Sequence, residues 1–278
     1  MWAYGIQKST RLERLEKKLR IELPSQGIEL FNSPIPELRP GEVLIETRSS
    51  ALNFNSVWSS LASPVDPFSL ISNHVSRNPQ DSDHAKDFAI FGSDASGVVV
   101  DCAPDVHKWT KGDEVMIHCN VVDTSDPITQ ADSMLSNSQS IWGYETNFGA
   151  FAQYTKVKQN QLLHKPDQLD WHQAGSVLLT LATAYRMLIS SKGAQIKAGD
   201  TVLIWGAAGG LGTFAIQLAK MAGARVVAIV SGEDKRAICE NLGADIIINR
   251  LEDNFKDFTN EDGSPNYLKW KRARQILK

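Results

Sequence analysis

The chain has 278 residues, of which 42% are apolar and 22% charged; this excludes wholesale disorder and a small disulfide scaffold and leaves room for two domains. Lys plus Arg is 29 and Asp plus Glu is 32, a net charge of −3, so no global positive field exists to attract nucleic acid or anionic lipid. Three cysteines, Cys102, Cys119 and Cys239, lack CxxC spacing, which points to a reducing, cytoplasmic setting and away from a structural zinc site.

Along the chain, Lys8 to Arg20 alternates basic and acidic residues where a signal peptide would carry its apolar core. The front part reads as β-rich. Val43 to Thr47 follows the Pro40-Gly41 turn, Ser96 to Val100 carries a β-branched run, and Glu114 to Ile117 follows Lys111-Gly112-Asp113. Asp123 to Gln139 is polar and is expected to form a long surface loop. Asp170 and Gln173 have the spacing of a helix start, and apolar residues from Val177 to Leu188 recur about every 3.6 residues, predicting a buried helix over 171–190. Its apolar run, Val177 to Tyr185, is interrupted by Thr180 and Thr183 and is too short to span a bilayer.

Thr201 to Trp205 then reads as a buried strand, Gly206 to Gly212 as a glycine-rich turn, and Leu211 to Ala222 as a helix stopped by Gly223. Arg225 to Val230 is a second strand, Glu233 to Leu242 a helix stopped by Gly243, and Asp245 to Asn249 a third strand. This βαβαβ alternation is the first half of a doubly wound sheet. Beyond Asn249 an acidic loop and a basic amphipathic segment, Tyr267 to Lys278, continue without further alternation, so half of the sheet is expected to be missing. The expected fold is α/β, with a β-rich domain over residues 1–170 and a partial dinucleotide-binding domain over 171–278. An unpaired parallel edge beside Ile204, Val227 and Ile247 predicts a homo-oligomer, or a partner chain supplying the missing sheet half.

The turn Gly206-Ala207-Ala208-Gly209-Gly210-Leu211-Gly212 lies between strand and helix, where a pyrophosphate meets backbone N–H groups at a helix N-terminus. An NAD site would place Asp or Glu at the end of the second strand; here that position is Ser231, followed by Lys235 and Arg236, which suits a 2′-phosphate and favours NADPH. The alternative is that Lys235 and Arg236 are solvated helix residues.

A β-rich domain followed by a GxxGxxG sheet resembles the medium-chain dehydrogenase/reductase superfamily. Within it, Gly92-Ser-Asp-Ala-Ser-Gly97, Ile141-Trp-Gly-Tyr-Glu-Thr146, Leu179 to Leu188 and Val202 to Gly212 resemble crotonyl-CoA carboxylase/reductase and its homologues acting on longer enoyl-CoA thioesters. The resemblance implies a GroES-like first domain, NADPH as cofactor, enoyl-CoA thioester and CO₂ as substrates, and a chain that stops before the remaining nucleotide sheet and a family histidine. By motif it assigns Asn55 as the amide that holds CO₂ and Tyr144-Glu145 as the aromatic and acidic pair, and it places Thr180, Thr183 and Tyr185 on a helix bordering the cofactor.

Each residue has a plainer reading. Asn55 is equally suited to capping a helix over Ser56 to Leu61, Glu145 to pairing with an arginine, Tyr144 to core packing, and the threonines to helix packing. His118 beside Cys119 has no third ligand at a plausible spacing and reads as a structural histidine, so no metal site is expected. Rival functions are an enoyl or quinone reductase that protonates its enolate, and an inert fragment or subunit completed by another chain.

Overall fold

A computed structural model describes residues 1–19, 21–251, 260, 262 and 264–276. The chain divides into two compact units, Met1–Leu179 and Thr180–Lys278.

In the first unit the strands are β1 (Trp2–Gln7), β2 (Glu29–Asn32), β3 (Glu42–Ser50), β4 (Phe88–Ile90), β5 (Ala95–Cys102), β6 (Glu114–Ile117), β7 (Asn120–Val121), β8 (Ser140–Ile141), β9 (Tyr154–Lys158) and β10 (Leu162–His164). The helices are α1 (Lys8–Glu16), α2 (Phe54–Leu61), α3 (Pro67–Arg77) and α4 (Pro127–Ala131). An antiparallel sheet in the order β10-β6-β5-β3-β9 carries the main core, and β1 pairs with β2 and β4 in a second sheet. Alternation on β3 sends Val43 and Ile45 inward, where they meet Val99, Val115, Ile117 and Val157 and the indoles of Trp109 and Trp142.

The segment 123–139, expected as an irregular loop, instead contains α4 and a 3-10 turn over Ser133–Leu135. Asp126 caps α4 by accepting from the Ile128 N–H at 2.9 Å, Pro127 sits at its first position, and Asp132 caps the following turn at Met134. Arg77 of α3 ties the segment down by donating to the Asn137 and Gln139 carbonyls.

A charged network runs through the interior. Lys156 on β9, 2% exposed, donates to Glu42 Oε2 at 2.7 Å and to Asp83, while Lys158 donates to Glu42 and to Asp81 at 2.7 Å. His74 Nε2 lies 3.2 Å from Asp81, and His84 Nδ1 accepts from the Asn147 N–H. Burial, then the neighbouring His74 and Lys156, pushes the His84 pKa down to about 3. His84 is therefore neutral in the fold while the unfolded chain protonates it near pH 6.5, so the unfolded state binds the extra proton between those values. Stability is expected to fall as pH drops from about 6.5 towards 3, and Asp81, whose carboxyl is held far below the usual range by His74 and Lys158 against the cost of burial, adds to the loss below about pH 4. Urea midpoints at pH 7, 5 and 4 check this; a flat profile would contradict it.

Helix α5 (Trp171–Leu188) begins as its sequence predicts: Gln173 N–H donates to Asp170 Oδ1 at 2.8 Å and Asp170 N–H to Gln173 Oε1 at 3.1 Å. The second unit then supplies β11 (Thr201–Trp205), α6 (Gly210–Met221), β12 (Arg225–Val230), α7 (Arg236–Asn241), β13 (Ile246–Asn249) and α8 (Tyr267–Ile276). The three strands are parallel in the order β11-β12-β13. Ile204, Val226, Ala228 and Val230 pack on Ala215, Ile216 and Ala219 of α6.

Ile204 and Val227 are buried: Ile204 faces α6 and Val227 lies on the central strand. The exposed apolar side chains of β11 are Leu203 and Trp205, at 53% and 63%. Most of the loop after β13 lies outside the described residues. Among the described residues no helix is long and apolar enough to cross a membrane.

Candidate active site

The β11–α6 turn in the second unit is built around backbone contacts. Gly206 has φ +70°, a conformation L side chains disfavour, and its N–H and that of Ala207 donate to the Ile229 carbonyl of β12 at 3.1 Å. A Cβ on Gly212 would lie 2.6 Å from Ala207 Cα, so only glycine lets α6 start this close to the turn. Gly209 holds the N-cap position; Gly210 and Leu211 are exposed in the first turn, whose amides have no upstream carbonyl to bond, while Ala208 is half-buried. Thr180 packs beside this turn, its Cγ2 3.3 Å from where a Gly210 Cβ would stand, and Thr183 is exposed one turn further along α5. An oxyanion placed here meets backbone donors and the positive end of a twelve-residue helix.

At the end of β12, Lys235 Nζ donates to Ser231 Oγ at 2.9 Å, which sets a cation and a hydroxyl side by side. Arg236 is turned differently, its Nε on Glu233 and its Nη1 on the Ile247 carbonyl. The two basic residues are thus not equivalent: Lys235 stands with Ser231, and Arg236 braces the fold.

In the first unit, α2 starts one residue before Asn55, and the N-cap is Asn53; the capping alternative for Asn55 does not hold. Asn55 is half-buried in the first turn. One turn later Trp58 meets Tyr144 in a tilted ring contact, with centroids 6.1 Å apart, and Phe54 also lies 6.1 Å from Trp58. The Trp58 contact, which sequence reading passed over, is what joins the Asn55 helix to the Tyr144-Glu145 turn.

That turn is tightly wound. The N–H groups of Tyr144, Glu145 and Thr146 all converge on the Ile141 carbonyl, and Glu145 Oε2 accepts from the Ile141 N–H at 2.8 Å. The partner of Glu145 is therefore a backbone amide and not an arginine. Trp142 is buried and donates to the Phe148 carbonyl, and Gly143 has φ +67° with its Cα pressed against the Gly92 carbonyl, 1.8 Å from the position of a Cβ. Burial, helped by the Glu145 charge, raises the pKa of the half-buried Tyr144 hydroxyl. His118 Nδ1 accepts from the Asn120 N–H at 3.1 Å, and burial lowers its pKa, so it acts as a neutral acceptor within the fold.

Comparison with known proteins gives this geometry its context. Residues 39–167 match the alcohol dehydrogenase GroES-like domain and residues 210–267 the zinc-binding dehydrogenase family. Among the described residues, no group of three or more His, Cys, Asp or Glu is placed to hold a metal ion. The chain is 43% identical over 249 residues to crotonyl-CoA reductase of Streptomyces collinus, covering 90% of this chain and 56% of that protein. It is 41% identical over 257 residues to crotonyl-CoA carboxylase/reductase of Cereibacter sphaeroides, covering 92% and 57%. The solved structure of the 2-octenoyl-CoA carboxylase reductase CinF in complex with NADP and 2-octenoyl-CoA matches with a TM-score of 0.85 at 41% identity, over 90% of this chain and 56% of that one. The chain thus spans a little over half the length of these relatives. Its GroES-like first unit, its parallel β11-β12-β13 sheet with a glycine turn, and these identities agree: the chain is a homologue of the crotonyl-CoA carboxylase/reductases, with the two domain types of the medium-chain dehydrogenase/reductase superfamily.

Proposed function

We propose that this chain carries the CO₂-holding residues and the dinucleotide-phosphate turn of an NADPH-dependent reductive carboxylase of enoyl-CoA thioesters. The observation that carries the reading is the Trp58–Tyr144 contact, which brings the helix of Asn55 to the turn of Glu145. The residues fit NADPH: Gly209 and Gly210 are exposed and leave the first turn of α6 open to a pyrophosphate, and Ser231 with Lys235 offers a hydroxyl and a cation to a 2′-phosphate. The chemistry that bound NADPH supplies is a hydride to the β-carbon, leaving an enolate at the α-carbon. Asn55 donates its amide hydrogens to the oxygens of CO₂ as they gain charge. Glu145, anchored through Oε2, keeps Oε1 for an ordered water beside the Trp58 and Tyr144 rings. Support for this over simple reduction comes from the presence of Asn55, Tyr144 and Glu145 together.

In the active enzyme, Asn55→Ala or Glu145→Gln is expected to lower the ratio of carboxylated to reduced thioester by roughly tenfold or more, with hydride transfer largely kept. Chromatography of the products formed with labelled bicarbonate measures it. An unchanged ratio removes both residues from the mechanism.

A second reading concerns assembly and is favoured by one observation. Leu203 and Trp205 stand exposed on β11, a strand paired on one side only among the described residues, so a second copy or another chain is expected to add strands there.

A further inference from the structure

The first unit holds a buried acid that the proposed chemistry does not use. Asp94 begins the segment into β5, is 0% exposed, and neither of its carboxyl oxygens makes a hydrogen bond; the adjacent Ser93 Oγ is also buried and unpartnered. The backbone here is fixed from both sides. Ser50 Oγ donates to the Asp94 carbonyl at 2.7 Å, and two residues earlier the Gly92 carbonyl is packed against Gly143 of the Tyr144-Glu145 turn. Facing the carboxyl are the Asn53 side chain and the Leu179 N–H, both placed to favour the charged form, against a larger penalty from burial that raises its pKa to about 7.

Asn53 supplies an independent observation. It is the N-cap of α2, a position where asparagine normally bonds the helix's free amides, yet its side chain makes no such bond and its Nδ2 is buried without a partner. Its side chain lies near enough to the Asp94 carboxyl to act on it. We propose that Asp94 acts as a positioning residue, setting the first turn of α2, and so the amide of Asn55, through Asn53.

The physical basis is donor count. A neutral carboxyl can both donate an O–H to an amide oxygen and accept from an amide N–H, whereas a carboxylate only accepts, so loss of the proton changes which bonds the facing Asn53 amide can make. No cationic side chain shifts Asp94. The titratable groups on neighbouring elements are the Cys119 thiol, which burial and the Asp94 charge push up to about 12, His118 beside it, Tyr144 and Glu145 on the turn against Gly92, and His172 of α5, bonded to Ser49. Helix α2 itself, Phe54–Leu61, contributes none.

The inference rests on the reading that Asn55 holds CO₂, but its test has a separate readout. Carboxyl-¹³C aspartate and side-chain amide ¹⁵N spectra of the chain, titrated between pH 4 and 9, should show Asp94 with a midpoint near 7, about three units above an ordinary aspartate, and the Asn53 and Asn55 amides moving with that midpoint. In Asp94→Asn, which keeps a neutral side chain, both amide movements should vanish, and in the active enzyme the product ratio should lose its dependence on pH. The wild-type titration decides alone if that variant does not fold. A midpoint near 4, or an Asn55 amide that stays still while Asp94 titrates, overturns the proposal. Asp94 and Asn55 titrating together in a protein that never incorporates bicarbonate would overturn the carboxylase reading and leave this coupling standing.

Discussion

Gly212→Val is expected to weaken nucleotide binding. Its Cβ would stand 2.6 Å from Ala207 Cα, Ala207 O and Gly206 O, all backbone atoms that no rotamer change can move aside. Overpacking of this kind costs about 1–3 kcal/mol, and here the strain falls on the turn proposed to bind the pyrophosphate. The dissociation constant for NADPH should rise by roughly tenfold or more, a loss of about 1.4 kcal/mol or more. The unaltered chain should bind NADPH more tightly than NADH, because Ser231 presents no carboxylate and Lys235 adds a positive charge. Fluorescence titration with both nucleotides measures each effect. Wild-type affinity in Gly212→Val would show that the turn is a packing feature only.

Lys156→Ala is expected to be the most damaging change in the first unit. Removing the ammonium leaves Glu42, 1% exposed, and Asp83 facing each other without the cation that both accept from. Breaking a buried pair in this way costs about 3–5 kcal/mol, a large part of the ~5–15 kcal/mol by which a domain is usually stable. By contrast, Lys197→Ala removes a pair at the surface and should change stability by less than about 1 kcal/mol. Urea denaturation followed by tryptophan fluorescence compares the two. A small loss for Lys156→Ala would mean that Lys158 and Arg39 suffice to hold the carboxylates.

What could be read from sequence was what has a local physical signature. Asp170 and Gln173 form the reciprocal cap their spacing announces, Gly223 and Gly243 end helices with positive φ, and the Gly206–Gly212 turn lies between strand and helix as its pattern requires. Asp126-Pro127 is the same kind of signal, an N-cap followed by a first-position proline, and reading the polar composition of 123–139 instead hid α4. The Lys156 network was illegible for a different reason. Its members, Glu42, Asp81, Asp83 and Lys156, come from distant points of the chain, and nothing in their neighbourhoods distinguishes them from surface charges.

The site divides along the same line. The motif containing Asn55, Tyr144 and Glu145 is visible as a string, but the contact that joins its two parts, Trp58 on Tyr144, is a product of folding. Asp94 stood inside a motif that was noticed, Gly92 to Gly97, and its burial could not be inferred from the small residues around it. The exposure pattern of β11 was not legible in its continuous apolar run because sidedness depends on which face α6 covers. Ile204 faces that helix, and its neighbours Leu203 and Trp205 do not.

The central claim is that these residues serve reduction coupled to carboxylation, and the nature of the product from the active enzyme tests it most directly. Crotonyl-CoA, NADPH and ¹³C-bicarbonate should yield a 2-carboxybutyryl thioester bearing one labelled carboxylate, with one NADPH oxidised for each label incorporated. Butyryl thioester as the sole product at saturating bicarbonate, with NADPH consumed, would show instead that the enolate is protonated and that Asn55, Tyr144 and Glu145 do not hold CO₂.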